Sequence, residues 1–245
     1  MKTVAIIPAR LESSRLPRKA LADICGMPMI VHVFKRCLYS AVLSDVFVAT
    51  DSDEIRSVVE EAGGKVVMTA SKHATGTDRI AEAAKEIDTD IVVDVQGDEA
   101  LVNPESIDKV VQPLIQDPSL NMGILVNPFN RRNSPSDIKV VVDENMDVLY
   151  MSRADLPSDA RTENPNLLKA YHIIPYRKKF LLQYASWTPG YLETTEYNEF
   201  LRGLEKGYKI RAVRVESDAI SVDTEEDLAY VRQEMLSDSY FRKYS

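Results

Sequence analysis

The sequence predicts an α/β fold built on a mostly parallel, doubly wound sheet that carries an antiparallel-strand insert. Short apolar runs alternate with amphipathic helical patterns up to about residue 120. That alternation is typical of βαβ units, in which parallel strands are buried on both faces. Beyond residue 120, strand patterns follow one another through hairpin-like turns, which predicts antiparallel pairing.

Four apolar runs in the first half predict the parallel strands, and Pro8 is expected to end the first of them. The runs lie at residues 4–7, 45–50, 65–69 and 90–96. Apolar residues at helical spacing predict helices at 28–40, at 55–62, up to about 87 after the polar loop 70–78, and beyond Pro104.

The second half is predicted to hold shorter strands and a C-terminal helix. Strands are predicted at 124–126, 139–143, 148–152, 169–177 and 209–215, helices at 178–184 and 194–204, and a surface loop at 153–168. Thr224 and Asp227 form a capping-box pattern that opens the last helix. We therefore predict a core of 1–120 with 205–245 and an insert of 121–204, which suits acceptor recognition and subunit contact.

Composition narrows the function classes. The 245 residues carry a net charge of −8, which argues against general nucleic-acid binding. No apolar run approaches the roughly 18 residues that span a bilayer, and Met1 leads straight into a strand pattern without a signal-peptide segment. Two cysteines without a secretory signal indicate reduced thiols, so we expect a cytoplasmic protein with no membrane insertion and no nucleic-acid partner.

A basic, hydroxyl-bearing loop follows the first strand. Residues 1–19 hold five Lys or Arg and one Glu in a chain that is acidic overall. Ligands of open α/β sheets bind beyond the carboxyl ends of the strands, and arginine side chains suit phosphate oxygens. Arg10, Ser13, Arg15 and Lys19 are therefore candidates for a polyanion site, whereas the alternative is a set of ordinary solvated side chains.

Carboxylates stand at the ends of two elements that are far apart in the chain. Asp98 and Glu99 follow the fourth strand, and Asp223 precedes the C-terminal helix. A doubly wound sheet can bring both positions to one crevice, where two carboxylates beside phosphate oxygens would suit Mg²⁺. The same spacing also fits a turn at Asp98 and a helix cap at Asp223.

The loop after the third strand is the third candidate region. It runs from His73 to Arg79 as HATGTDR and contains Gly76, one of nine glycines in the chain. A glycine among hydroxyl groups suggests that the backbone closely approaches a ligand. The sequence has no Walker loop and no GxGxxG motif, and its three histidines and two cysteines lack zinc spacing.

Together these segments resemble the CMP-Kdo synthetase family, the 3-deoxy-manno-octulosonate (Kdo) cytidylyltransferases. The matching blocks are 6–21, 26–36, 48–55, 63–69, 73–82, 95–102, 138–157 and 222–228. The resemblance implies a nucleotide-diphospho-sugar transferase-like fold, a dimerisation insert and hence a homodimer. It implies Mg²⁺-dependent transfer of CMP from CTP to an acidic sugar of the Kdo type, with release of pyrophosphate, as in lipopolysaccharide biosynthesis. A uridylyl- or guanylyltransferase is the runner-up.

The resemblance also implies a role for each candidate residue. The triphosphate would be held by Arg10, Ser13, Arg15 and Lys19, and the cytosine and ribose would be framed by Pro8, Ala9, His73, Thr75, Gly76, Thr77 and Arg79. Gln96 would lie by the α-phosphate with Asp98. Asp98 and Asp223 would bind Mg²⁺, while Arg10, Lys19 and Asp98 would carry catalysis.

The acceptor segments depart from the family pattern. Ala170 falls where the family has a sugar-contacting histidine, Tyr171-His172 replaces a hydrophobic-Gly pair, and Phe200 replaces a glutamine. The candidate acceptor residues are Tyr171, His172, Glu199 and Arg202. Two interpretations stay open. Either Kdo or an amino-Kdo is held differently, with His172 replacing the missing histidine, or the acceptor is another ulosonic acid or a phosphonate.

Overall fold

The computed structural model describes residues 1–13, 15–158, 160–161, 166–216 and 220–245. Its strands are β1 (Thr3–Ala9), β2 (Asp23–Ile24), β3 (Met27–Pro28), β4 (Asp45–Thr50), β5 (Lys65–Met68), β6 (Ile91–Val95), β7 (Met122–Phe129), β8 (Lys139–Val142), β9 (Val148–Ser152), β10 (Leu167–Tyr171), β11 (Ile173–Arg177) and β12 (Ile210–Arg214). Its helices are α1 (Met29–Cys37), α2 (Asp53–Glu61), α3 (Gly76–Lys85), α4 (Pro104–Gln116), α5 (Lys178–Tyr184), α6 (Tyr191–Glu196), α7 (Leu201–Glu205), α8 (Glu225–Ser237) and α9 (Phe241–Tyr244).

The chain divides into two compact units. The first unit is Met1–Asp108 with Asp218–Ser245, and the second unit is Lys109–Ser217. The predicted insert, 121–204, lies inside the second unit, which is longer at both ends. It includes β12 because β12 pairs in parallel with β7, with Ile210 opposite Met122.

In the first unit, β5, β4, β1 and β6 pair in parallel in that order. The predicted strands and helices of this region are present, and the core of β1 is fully buried. The prediction that Pro8 ends the first strand was wrong, because β1 continues to Ala9. Its pairing with β6 stops at Ile6 while its pairing with β4 continues to Ala9. A proline nitrogen is tolerated where only one neighbour needs hydrogen bonds.

A short hairpin that we did not predict follows the basic loop of the first unit. β2 and β3 pair antiparallel, and the turn between them places Cys25 and Gly26 at φ values of 52° and 86°. Two successive positive φ angles are typical of a type I′ hairpin turn. Ile24 of this hairpin is buried in one apolar cluster with Leu16 and Met29, so the hairpin ties the basic loop to the start of α1.

In the second unit, β7 pairs antiparallel with β10 and β11, and β10 continues through β8 to β9. The antiparallel pairing expected of the insert is thus seen between these strands, whereas β12, which lies beyond the predicted insert, is parallel to β7. The single strand predicted at 169–177 was wrong, because the chain breaks at His172 into β10 and β11. The single helix predicted at 194–204 was also wrong. Tyr197 takes a φ of 52° and separates α6 from α7.

Two remaining predictions concern the loop at 153–168 and the membrane. Within that loop, residues 159 and 162–165 lie outside the described residues, and β10 already begins at Leu167. None of the helices in the described part of the chain combines the length and the apolar character that crossing a membrane requires.

Candidate active site

A cleft of about 300 Å³ lies beside the carboxyl end of β1 in the first unit. This volume is within the range of small-molecule binding sites. The cleft is lined by Pro8, Ala9, Arg10, Glu12, Ser13, Arg15, Lys19, Ala20, Met29, Gly76, Arg79, Gln96, Gly97 and Asp98. The predicted nucleotide-binding residues therefore converge on it, except for His73, Thr75 and Thr77.

The ammonium group of Lys19 lies between two carboxylates that are far apart in the sequence. Its Nζ donates to Asp98 Oδ2 at 2.6 Å and to Asp223 Oδ1 at 3.1 Å. Arg15 donates from Nη2 to the same oxygen of Asp223 at 2.9 Å. Burial disfavours the charged ammonium, but the two carboxylates outweigh it and raise the pKa of Lys19 above its ordinary value. The two predicted metal ligands thus meet at the predicted phosphate-binding lysine.

An apolar cluster holds the three segments of this junction together. Leu16, Ala100 and Val222 are all buried in it, and each is within four residues of Lys19, Asp98 or Asp223 in the sequence. The backbone N–H of Val222 also donates to the carbonyl of Asp98 at 3.1 Å. The position of the charged groups therefore depends on packing between segments that no local pattern connects.

Arg79 is fixed by two residues that sequence reasoning missed. Its guanidinium is buried, with Nη2 at 3.2 Å from Asp51 Oδ1 and Nη1 donating to Thr69 Oγ1 at 2.6 Å. Burial lowers the pKa of Arg79 although Asp51 opposes the shift. Their positions in the sequence could have revealed them, because Asp51 directly follows β4 and Thr69 directly follows β5, at the carboxyl ends of parallel strands where ligands bind.

The start of α3 explains why three predicted residues do not line the cleft. Thr75 Oγ1 accepts from the N–H of Asp78 at 3.2 Å and the carboxylate of Asp78 accepts from the N–H of Thr75 at 3.1 Å, so the Thr75 side chain caps the helix. Thr77 is buried. His73 pairs through Nε2 with Glu82. Burial alone would raise the pKa of the Glu82 carboxyl. The bonds from His73 and from the N–H of Ala70 outweigh burial, so the pKa is lowered.

Gln96 is held by a buried carboxylate that sequence reasoning also missed. Its Nε2 donates to the two carboxylate oxygens of Asp94 at 2.8 and 2.9 Å, and Asp94 is fully buried in β6. The adjacent Gly97 has to be a glycine because the backbone of Pro8 lies close to it: a Cβ at Gly97 would lie 2.8 Å from the carbonyl oxygen of Pro8. At Gly76 the nearest atom to such a Cβ would be Pro8 Cγ at 3.5 Å, an ordinary contact.

Arg10 differs from the other basic residues of the cleft. Its side chain is exposed, and we find no hydrogen bond or ion pair to it from the residues that the structure describes. Arg15, Lys19 and Arg79 each have a carboxylate partner. As far as the described residues show, the cleft thus combines paired cations with an unpaired one, which suits a multiply charged anion.

In the second unit, the candidate acceptor residue Arg202 is committed to internal bonds. Its Nε and Nη2 donate to the two oxygens of Glu193 at 2.7 and 2.5 Å, and Nη1 lies 3.4 and 3.3 Å from the carbonyls of Tyr184 and Trp187. Both partners of the ion pair are buried, and Glu193 raises the pKa of Arg202. Glu193, which sequence reasoning missed, is therefore the structural partner of this arginine.

The other candidate acceptor residues lie in β10, at the break after it and just before α7. The rings of His172 and Phe200 pack at a centroid distance of 5.7 Å. Tyr171 is buried, whereas Glu199 is half-buried. Ala170 is buried in β10. The structure therefore brings together two of the positions at which the sequence departs from the family pattern.

The parallel sheet and the basic cleft at its carboxyl edge define the class of protein, an α/β nucleotidyltransferase. In agreement, the family model described as cytidylyltransferase matches residues 4–210. The 3-deoxy-manno-octulosonate cytidylyltransferase of Syntrophus aciditrophicus (strain SB) is 45% identical over 242 residues, which cover 96% of this chain and 98% of that protein. The chain belongs to the 3-deoxy-manno-octulosonate cytidylyltransferase family, and it is a CTP-dependent nucleotidyltransferase.

Two further relatives agree with this assignment. The 3-deoxy-manno-octulosonate cytidylyltransferase of Trichlorobacter lovleyi is 41% identical over 249 residues, covering 96% of this chain and 99% of that protein. A solved structure of CMP:2-keto-3-deoxy-manno-octonic acid synthetase complexed with CTP matches with a TM-score of 0.94 at 37% identity, covering 97% of this chain and 99% of that chain.

Proposed function

We propose that this protein transfers CMP from CTP to Kdo, releases pyrophosphate and depends on Mg²⁺. The names of its relatives and the CTP complex of a similar structure support the donor and the acceptor. The observation that carries the proposal is the meeting of Lys19 with Asp98 and Asp223 beside a basic loop. This arrangement supplies cations for a triphosphate and carboxylates for a metal at the same place.

The basic side chains of the cleft have separate roles in this proposal. Arg10, Arg15 and Lys19 bind the phosphates, and Lys19 exchanges its carboxylate partners for phosphate oxygens. Gln96, whose amide is oriented by Asp94, lies by the α-phosphate. Arg79 and the start of α3 at Gly76 face the nucleoside, and their fixed positions lower the entropy lost on binding.

The residues at the junction fit a divalent cation. Asp98 and Asp223 present hard oxygen ligands and already enclose one positive group, the ammonium of Lys19, which serves as a stand-in ion. In the described part of the chain, no three His, Cys, Asp or Glu side chains form a metal site. Two carboxylates with water and phosphate are a usual set for Mg²⁺. When bound there, Mg²⁺ would supply positive charge to the phosphate oxygens.

The transfer step needs no covalent intermediate on the protein. The acceptor hydroxyl oxygen forms a bond to the α-phosphorus, the bond from that phosphorus to the bridging oxygen breaks, and pyrophosphate leaves with the electron pair. The hydroxyl proton passes to water. Arg10, Arg15 and Lys19 stabilise the negative charge that develops on the leaving group, and alignment of the two substrates supplies much of the rate.

Pyrophosphate release from purified protein tests the proposal. With Mg²⁺ and Kdo present, we expect CTP to be turned over, whereas UTP and GTP should release little pyrophosphate. Chelation of Mg²⁺ should abolish the signal, and its return to the buffer should restore it. Equal turnover of UTP would contradict the cytidylyl assignment, and full activity in excess chelator would contradict the metal dependence.

A different acid is the second candidate for the acceptor. His172 packs on Phe200, and both Phe200 and Ala170 are buried apolar side chains at positions where the resemblance led us to expect polar sugar contacts. A site that lacks hydrogen-bonding groups discriminates poorly in favour of a sugar hydroxyl. We therefore propose to compare Kdo, amino-Kdo, neuraminate and small phosphonates at fixed CTP. A kcat/KM for Kdo far above the others would exclude the second candidate.

We also propose that the protein is a homodimer, which the family resemblance implies. Light scattering on the purified chain measures this directly. A mass near twice that of one chain is expected across the working concentration range, and the mass of a single chain throughout that range would contradict it.

A further inference from the structure

We infer that Glu99 is a positioning residue that fixes the segment carrying Asp223 against the segment carrying Asp98. Its side chain is 1% exposed, and Ser221 Oγ donates to Glu99 Oε1. Glu99 follows Asp98 directly, and Ser221 lies two residues before Asp223. The bond therefore joins the two segments next to Asp98 and Asp223 and does not involve the carboxylate of either aspartate. The inference rests on the proposed metal role of Asp98 and Asp223.

A backbone bond strengthens the same connection. The N–H of Val222 donates to the carbonyl of Asp98 at 3.1 Å, so neighbouring residues of one segment bond to neighbouring residues of the other. Ala100 and Val222 are also buried in one apolar cluster. A side-chain bond, a backbone bond and an apolar contact thus fix how far apart the two segments lie.

This connection matters because Lys19 is the cation that now lies between the two aspartates. When Lys19 turns to a phosphate, Asp98 and Asp223 lose that cation and repel one another. The bond between Glu99 and Ser221 does not involve Lys19, so it remains. The two aspartates then keep their separation, which prepares them for a divalent cation.

Burial and chemistry argue for positioning over direct metal binding by Glu99. A buried carboxylate is costly unless it accepts hydrogen bonds, and the hydroxyl of Ser221 supplies such a bond to Oε1. Within the described residues, no third acidic, histidine or cysteine side chain joins Asp98 and Asp223 in a metal-binding group. Groups that orient metal ligands in this way commonly change metal affinity by 10- to 100-fold when removed.

Mn²⁺ binding, measured by electron paramagnetic resonance with CTP present and no acceptor, tests the inference. Ser221→Ala should weaken Mn²⁺ binding by about 10-fold, while CTP binding without metal stays at the wild-type level. Ser221→Thr, which keeps the hydroxyl, should restore the affinity. Ser40→Ala is the matched control, because it removes a comparable bond from Ser40 Oγ to Asp108 Oδ1 at 2.5 Å within the first unit.

The double variant Ser221→Ala with Glu99→Gln tests whether the two residues act through one shared bond or affect Mn²⁺ binding independently. We expect it to lose no more affinity than the worse single variant, because both changes act on the same interaction: Ser221→Ala removes the bond and Glu99→Gln weakens it by removing the charge of the acceptor. Wild-type affinity in Ser221→Ala, an equal loss in Ser40→Ala, or additive losses in the double variant would each overturn the inference. Unchanged Mn²⁺ binding in Asp98→Asn would instead contradict the proposed metal site.

Discussion

The charged residues of the cleft can reach a ligand, whereas those of the candidate acceptor segments are bonded to one another inside the protein. In the first unit, Lys19 and Arg15 bond to Asp98 and Asp223, and the side chain of Arg15 is 64% exposed. In the second unit, Arg202 and its partner Glu193 are 5% and 9% exposed. The first group can exchange its partners for a ligand, whereas the second is already satisfied by the fold.

Energetics explain this difference. The pair of Arg15 with Asp223 is open to water, and such pairs contribute roughly 0–1 kcal/mol, so a triphosphate can displace it at little cost. The side chain of Lys19 is only 19% exposed, so it can leave its carboxylate partners only because phosphate oxygens replace them. Breaking a buried pair costs about 3–5 kcal/mol, because the remaining charge stays buried without a partner. A charged motif therefore indicates a ligand site only when its internal bonds are weak enough to be exchanged.

Asp98→Asn should give the largest effect and tests the cleft. We expect kcat to fall by about 1,000-fold, equivalent to about 4 kcal/mol, because the amide removes a charged ligand of the proposed Mg²⁺. Asp88→Asn is the matched control, since the Asp88 side chain is fully exposed. The two variants should unfold at the same urea concentration as the wild type. Wild-type turnover by Asp98→Asn at saturating Mg²⁺ would exclude the metal role.

Arg202→Leu should show the opposite pattern in the second unit. The free energy of unfolding should fall by about 3 kcal/mol because the carboxylate of Glu193 stays buried without its partner. Arg214→Ala is the control, since Arg214 forms an exposed pair with Glu216. Urea unfolding measures both. A variant with wild-type stability and a raised KM for the acceptor would instead make Arg202 a binding residue.

Asp147 is another carboxylate of the second unit that is paired within the protein, and its pairing makes the stability of the fold depend on pH. Its carboxylate accepts from Lys209 and Arg211 at 2.9 and 2.7 Å. Although burial opposes the shift, these bonds lower the pKa of Asp147 below its ordinary value of 3.8. The stabilisation is therefore present above that value and is lost as the pH falls through the folded-state pKa.

Asp147→Asn should consequently lower the free energy of unfolding by about 2 kcal/mol at neutral pH. It should also flatten the decline of stability in the acid range below about pH 4. Urea unfolding at a series of pH values measures both effects. An acid decline as steep as in the wild type would show that Asp147 does not contribute to it.

Arg10→Ala should have the smallest effect and distinguishes the unpaired cation from the paired ones. Because no described residue pairs with Arg10, the free energy of unfolding should not change, while the Kd for CTP should rise about 10-fold, or about 1.4 kcal/mol. Arg56→Ala, in a half-exposed pair with Asp53 on α2, should leave the Kd unchanged. Calorimetric titration with CTP measures this, and equal Kd values would remove Arg10 from the phosphate site.

Local patterns predicted the elements well but not every boundary. The bounds of α5 and the capping box of α8 were predicted correctly, because spacing and capping residues act within a few positions. The break at His172 and the left-handed Tyr197 were not predicted. Tyr197 ends α6 as a left-handed cap whose N–H donates to the carbonyl of Glu193. Glycine or asparagine usually marks such a position, so a tyrosine there gives no sign of a helix end.

The same distinction applies to the candidate site. The types of residue at Arg10, Lys19, Asp98 and Asp223 indicated phosphate and metal chemistry, and the family resemblance extended this to CTP. The partners of two other cleft residues were not readable: Asp51, which pairs with Arg79, lies in a polar turn after a strand pattern, and Asp94, which accepts from Gln96, lies within a predicted strand. Of the two glycines that line the cleft, Gly97 and not Gly76 is the one at which a Cβ would come too close to the backbone.

By itself, the sequence determined the βα alternation of the first unit, the basic loop after β1 and the membership of a cytidylyltransferase family. These follow from hydrophobic periodicity and short motifs, which depend on neighbouring residues. Only the tertiary structure decided that Lys19 joins Asp98 to Asp223, and that Arg202 is occupied by Glu193. The physical reason is that contacts between distant segments depend on packing in three dimensions, which local spacing does not encode.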